Sequence, residues 1–271
     1  MNKINSIITK STKEIIKDIN DYPLLSDRQN RIDLSKDIID VLSTQLETNI
    51  ASGIRKVPDI PDDIVVKDDD MISLYSDKFS KSDYYNLLKL NIKVCPVCGC
   101  SIPTTIDHYF PKSEHPLFSV TPVNLVPMCF DCNKNKDTKD PNEKAFPVFN
   151  AYYDDIDISN YLIMDFSFLD DGTFVPRFRL EITGADNAEE IMIEENFKLF
   201  CLKNKYENEA ALTFELKKEI FKNIYLNSGA EALRNFIAQN DPSNRKYPFI
   251  TAFYQSLLKN FDLLTGYLGG I

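Results

Sequence analysis

Long hydrophobic runs are missing from this chain. No apolar stretch approaches the 18 residues that a membrane-spanning helix requires, and the opening MNKINSIITKSTKEIIKDIN interrupts its apolar positions with charge every few residues. A membrane span and a signal peptide are therefore not expected, and the expected location is the cytoplasm. Cysteine is scarce as well. Six cysteines in 271 residues cannot make a disulfide scaffold, and five of them fall between Cys95 and Cys132, a pattern of metal binding in a reducing compartment. Only 8 glycines are present, while hydrophobic residues make up 43% and charged residues 27%, which excludes collagen-like and wholly disordered chains. A basic surplus is absent too: 31 Lys and Arg stand against 41 Asp and Glu, a net charge of -10. That speaks against nucleic-acid binding through a general basic surface. The acidity is uneven, however. Residues 1–90 carry 13 basic and 16 acidic side chains, residues 91–150 carry 6 and 6, and residues 151–271 carry 12 and 19.

What is present divides into three regions. In residues 1–90 apolar residues recur at helical spacing, through Ile4, Ile7, Ile8 and Ile15 and then Leu34, Ile38, Ile39, Val41, Leu42 and Leu46, which predicts two helices. Turn chemistry in NDYPLLSDRQN separates them, and the two prolines of VPDIPDD read as a loop. Ser80 or Ser82 is placed to cap a further helix ending near Leu90. Asp68, Asp69 and Asp70 read as a solvated loop. Residues 91–150 are rich in Pro, Cys, Asn and Lys and poor in periodic segments, as a small metal-stapled unit would be. Residues 151–271 open with alternation around a DDG turn, a β-hairpin with strands near 161–168 and 173–182. Helical periodicity follows from 189 to 238 through Phe197, Leu199, Phe200, Leu212, Phe214, Leu216, Ile220 and Ile224, and one last helix covers YPFITAFYQSLLKNFDLLTGYL. The fold class expected is α+β, mainly helical regions around a small cysteine-stapled unit.

Cys95-Pro-Val-Cys98 and Cys129-Phe-Asp-Cys132 are two C-x2-C knuckles separated by 30 residues. Each places two sulfurs on one tight turn, and two such turns complete a closed tetrahedral zinc site. Gly99 suits the backbone twist of such a knuckle. A thioredoxin-like redox role would need a βαβ unit, and none is recognisable. Cys100 falls outside the x2 spacing and reads as a bystander. Cys201 reads as a small buried hydrophobe.

Between and after the knuckles stand Asp107-His108-Tyr109-Phe110-Pro111-Lys112, then Asn124-Leu125-Val126-Pro127, then Asn133 and Lys136 directly beyond Cys132. In this order the window Cys95 to Lys139 resembles the HNH, or ββα-metal, nuclease family. The resemblance implies a β-strand carrying Asp107 and His108, a second strand after Asn124, and a helix opened by the second knuckle. It also implies metal-dependent hydrolysis of phosphodiester bonds in DNA. Asn124 corresponds to the residue that steadies the loop and the base, and Asn133 stands where many members have histidine. Outside this window the arrangement of an HNH centre among helical regions is similar to nuclease subunits of prokaryotic anti-phage systems. These include the Septu type, which works beside an ATPase.

The residue types suit that chemistry. His108 titrates near neutrality when unperturbed, as a general base should. Asp107 points to the opposite side of its strand, so a hard carboxylate can face Mg2+ or Mn2+ while the imidazole faces water. The Asn133 amide oxygen would be a second ligand to that ion, and Asn135, about 200° further round the helix, is a poorer one. Lys112, Lys134, Lys136 and Lys139 are the candidate contacts to a nucleic-acid backbone. His115 matches no catalytic position and reads as an exposed loop residue. The expected partners are DNA and a second protein or further copies of the chain. Two other functions stand beside this one: a non-catalytic zinc module binding nucleic acid or protein, and RNA cleavage by the same centre.

Overall fold

The computed structural model describes residues 1, 3–5, 8–20, 26–142, 148–183, 187–242 and 247–270. Over these residues it is an α+β fold, 58% helical with two small antiparallel sheets. The described chain divides into two compact units. One comprises Lys3–Val97 and Ser101–Asp155, and the other Ile156–Ile271 with Met1–Asn2 and Cys98–Cys100.

In the first unit, α1 (Thr12–Ile19) starts at a capping box in which Ser11 accepts from the Glu14 amide and the Glu14 carboxylate accepts from the Ser11 amide. Ile4 and Ile8 therefore precede the helix that their spacing predicts, and Ile7 lies outside the described residues. Helix α2 (Asp27–Ala51) repeats the device with Ser26 and Gln29. Its buried face runs Ile32, Ser35, Ile39, Leu42, Leu46 and Ile50, at steps of three and four residues. Leu34 and Val41, which share the helical spacing, lie off that face and are 75% and 61% exposed.

The loop expected at 68–70 is the first turn of α3 (Asp68–Ser73). Asp70 is buried there and accepts two hydrogen bonds of 2.8 Å from the Arg31 guanidinium and one of 3.0 Å from the Lys67 amide. The solvated reading is thus corrected for Asp70, which is in a buried ion pair, while Asp68 and Asp69 are exposed. A π-helical turn (Leu74–Lys78) and a 3-10 turn (Phe79–Lys81) lead to α4 (Asp83–Asn91), capped by Ser82. Two four-residue strands follow, β1 (Thr105–His108) and β2 (Leu125–Met128), antiparallel with Asp107 opposite Val126 and His108 opposite Leu125. Directly after β2 comes α5 (Phe130–Lys136).

The second unit is built on the hairpin of β3 (Leu162–Phe168) and β4 (Phe174–Leu180). Gly172, at φ +83°, makes the left-handed step of its turn. Buried residues alternate along both strands, as the sequence pattern requires for a sheet with one covered face. Helices α6 (Ala188–Leu199), α7 (Leu202–Asn240), α8 (Pro248–Lys259) and α9 (Phe261–Gly270) complete the unit. Phe174 stacks on Phe214 of α7 at 4.1 Å and Phe168 on Tyr267 of α9 at 3.8 Å between ring centroids. The single last helix read from the sequence is two, broken at Asn260. Helix α7 is itself kinked at Gly229, whose φ of 86° and ψ of 175° are not helical. Leu212, Leu216 and Ile220 keep helical spacing yet are 55%, 71% and 46% exposed. Cys201 joins α6 to α7 at φ +50° and is exposed, so its reading as a buried hydrophobe is corrected.

Candidate functional site

The four knuckle cysteines converge. Cys95, Cys98, Cys129 and Cys132 are all buried, and their sulfurs lie within 4.8 Å of one another, an arrangement that could hold a metal ion. Tetrahedral zinc with bonds near 2.3 Å needs sulfurs roughly 3.8 Å apart, so the donor set and its spacing fit. Gly99 makes the turn of the first knuckle at φ +64°, and the Cys95 amide donates to the Ser101 carbonyl at 2.8 Å. The second knuckle opens α5: Cys129 is its N-cap and Cys132 lies within it. Cys100 stays outside the cluster and donates through Sγ to the Cys98 carbonyl at 3.3 Å.

The cysteine cluster is continuous in sequence with the strand pair and helix that carry the other candidate residues. On β1 the side chains alternate, so Thr105 and Asp107 are on one face and Ile106 and His108 on the other. The His108 Nε2 stands 2.9 Å from the Ser119 carbonyl. A carbonyl only accepts, so that nitrogen carries the proton and Nδ1 carries the lone pair. The Tyr75 ring packs edge-on against the imidazole, with centroids 4.4 Å apart. His108 is buried, and loss of hydration pushes its pKa down to about 3, with the charges of Lys112 and Lys136 acting the same way.

Asn124 is fully buried between the strands. Its Oδ1 accepts from the Phe110 amide at 2.7 Å, and its Nδ2 donates to the carbonyls of Phe110 and Phe118 at 3.2 and 3.1 Å. All of its bonding is thus spent on holding the loop that follows His108. Its own carbonyl accepts from the Tyr109 amide at 2.8 Å.

Asp107 faces α5. Its carboxyl is buried, which pushes its pKa up while the Lys136 ammonium, 3.1 Å from Oδ2, opposes that shift. A buried carboxylate is the kind of hard oxygen ligand that a divalent cation takes. Asn133, half-buried on α5, donates from Nδ2 to Thr105 Oγ1 at 3.0 Å and so approaches the same face of β1.

The four lysines separate. Lys134 and Lys139 are exposed, and Lys112 is half-buried with its ammonium 4.6 Å above the Tyr75 ring, where burial lowers its pKa. Lys136 is 1% exposed, and its ammonium donates to the His108 carbonyl at 2.7 Å. This corrects its placement among surface contacts to a nucleic-acid backbone. His115 is likewise not an exposed loop residue: it is half-buried, and its Nε2 lies 2.6 Å from Asp140 Oδ2. The residue that sequence reasoning missed is Tyr75, since nothing local to it signals that a helical turn of the N-terminal region meets His108.

Comparison with known proteins gives one partial likeness. Over 57 residues, 21% of this chain, it is 44% identical to protein ea31 of Escherichia phage lambda, and it spans 19% of that protein's length. No family model and no solved structure matches the chain. Among the described residues no helix is long and apolar enough to cross a membrane.

Proposed function

We propose that the chain is a metal-dependent endonuclease of the HNH type that hydrolyses phosphodiester bonds of DNA and takes part in a prokaryotic defence system. The observation that carries this reading is the local order of elements. An antiparallel strand pair followed at once by a helix sets His108 on one face of β1 and Asp107 on the other, with Asn133 on the helix beside Asp107's face. In this reading zinc on Cys95, Cys98, Cys129 and Cys132 is structural, and it fixes where α5 starts.

His108 acts as the base. With Nε2–H held by the Ser119 carbonyl, Nδ1 is the atom that accepts the proton of the attacking water. Its low pKa keeps the imidazole neutral before substrate arrives, and a phosphodiester anion against the ring raises that value as the proton is taken up. Asn124 keeps the loop after the base in place through its three side-chain hydrogen bonds. Asp107 and Asn133 would hold Mg2+ or Mn2+, which when bound supplies positive charge against the phosphate oxygens. Lys112, Lys134 and Lys139 remain as cations for the backbone. With the chain at -10 overall they are few, which favours a partner protein, such as an ATPase subunit, or self-assembly at the DNA.

A second reading has one observation in its favour: the Asp107–Lys136 pair and His108 are buried as a structural core would be. It makes the unit a zinc-stapled binding module without catalysis. Nicking of supercoiled plasmid with Mg2+ or Mn2+, set against EDTA, His108→Ala and a single-stranded RNA substrate, separates the readings. Metal-dependent nicking that His108→Ala abolishes is the expected result, and no cleavage of either nucleic acid under any of these conditions overturns it.

A further inference from the structure

We infer that Lys136 occupies the cation position of the Asp107 carboxylate, so that a divalent ion binds there only when the ammonium leaves. The inference rests on Asp107 being a metal ligand, as in the proposed function. Lys136 is the last residue of α5 and among the largest fully buried side chains of the chain. Lysine is almost never fully buried unless it is paired, and this one is held at two points of β1. Its Nζ donates to the His108 carbonyl at 2.7 Å and lies 3.1 Å from Asp107 Oδ2.

The two contacts do different things. The bond to the carbonyl fixes where the ammonium sits. The approach to Oδ2 sets a positive charge 3.1 Å from a buried carboxylate. The carboxylate is therefore already faced by a cation, the state of a cation site held by a substitute. A divalent ion on Oδ2 would stand within a few ångströms of the ammonium in a site from which water is largely excluded, and like charges so placed repel strongly. Asn133 sits one turn earlier on the same helix face and is bonded to Thr105, which shares the Asp107 face of β1. Helix α5 thus brings the second proposed ligand and the competing charge to one carboxylate together. Lys136 is a positioning residue in this account: it holds the Asp107 carboxylate in place, and a divalent ion must displace its ammonium to bind there.

Mn2+ binding to the zinc-loaded full-length chain, followed by electron paramagnetic resonance, tests this. Lys136→Gln removes the charge while keeping an N–H for the His108 carbonyl, and Lys136→Met removes both. Lys136→Gln is expected to bind Mn2+ at least tenfold tighter than wild type, and the gain is expected to vanish when Asp107→Asn is added. Without metal both Lys136 variants should melt earlier than wild type, because the carboxylate has lost its partner. Mn2+ should restore them, and KCl of equal ionic strength should not. If they do not fold without metal, folding on addition of Mn2+ is the supporting result and failure to fold overturns the inference. Equal or weaker Mn2+ binding by folded Lys136→Gln also overturns it. The nuclease reading fails separately, on plasmid cleavage by wild type against His108→Ala, where Lys136 is unchanged.

Discussion

Replacing Cys132 by serine should dismantle the region from Cys95 to Asp140 and not merely weaken it. The four sulfurs are buried within 4.8 Å of one another, a donor set that a shared cation would bind as thiolates. At a typical stability of about 0.05–0.15 kcal/mol per residue, a 46-residue segment such as Cys95–Asp140 accounts for roughly 2–7 kcal/mol. Structural zinc in small zinc-binding peptides contributes about 10–16 kcal/mol of apparent binding free energy, more than that whole sum. Cys132 lies inside α5, and the same seven-residue helix carries Asn133 and Lys136, so losing the metal should release both from β1. The assay is metal content by mass spectrometry together with hydrogen exchange read peptide by peptide. Wild type is expected to hold about one zinc per chain with slow exchange in β1, β2 and α5. Cys132→Ser is expected to hold much less zinc and to exchange fast throughout that segment while α6 to α9 stay protected. A wild-type chain that is folded and protected there with neither zinc nor disulfides would refute the reasoning.

Two further outcomes follow from the electrostatics. Asp70 has its pKa lowered, chiefly by the Arg31 hydrogen bonds, so its ionised form stabilises the folded chain. That contribution is full above the ordinary aspartate value near 4 and is lost as pH falls through the lower folded value; Asp70→Asn should therefore lower the melting temperature at pH 7 and flatten its fall below about pH 4 in a thermal denaturation series. For DNA, three lysines near the centre give a salt slope of about 2.7 or less, so binding by the isolated chain should fall by only about 40-fold between 50 and 200 mM salt. A fluorescence anisotropy titration giving tight binding with a much steeper slope would remove the argument for a partner or for self-assembly.

What the sequence made legible is what short-range chemistry determines. The β3–β4 hairpin was readable because alternation on both sides of a DDG turn has few other solutions, and the x2 spacing announced that the cysteines would meet. Of the two serines offered as a cap, Ser80 and Ser82, it is Ser82 that caps α4. What stayed hidden depends on which side of an element faces inward and on contacts distant in sequence. Lys136 is by composition a surface residue, and only the packing of α5 on β1 turns it inward to Asp107, 29 positions earlier. Tyr75 reaches His108 across 33 positions, through a π-helical turn that has no sequence signature. Leu34, Val41, Leu212, Leu216 and Ile220 all keep a helical period, and period alone does not say which face is covered. Asp70 looked solvated in a run of three aspartates because its partner, Arg31, lies on another helix.

The measurement that bears most directly on the central claim is the rate of plasmid nicking by wild type and by His108→Ala, each purified with full zinc content and assayed with Mg2+ or Mn2+ and with EDTA. A positioned base contributes about 10²–10⁴-fold, so the substitution should slow metal-dependent nicking by at least 100-fold while zinc content is kept and the protein, although melting earlier for the loss of a buried ring, stays folded at the assay temperature. Wild-type rates in His108→Ala, or nicking that persists in EDTA, would contradict the assignment of this site.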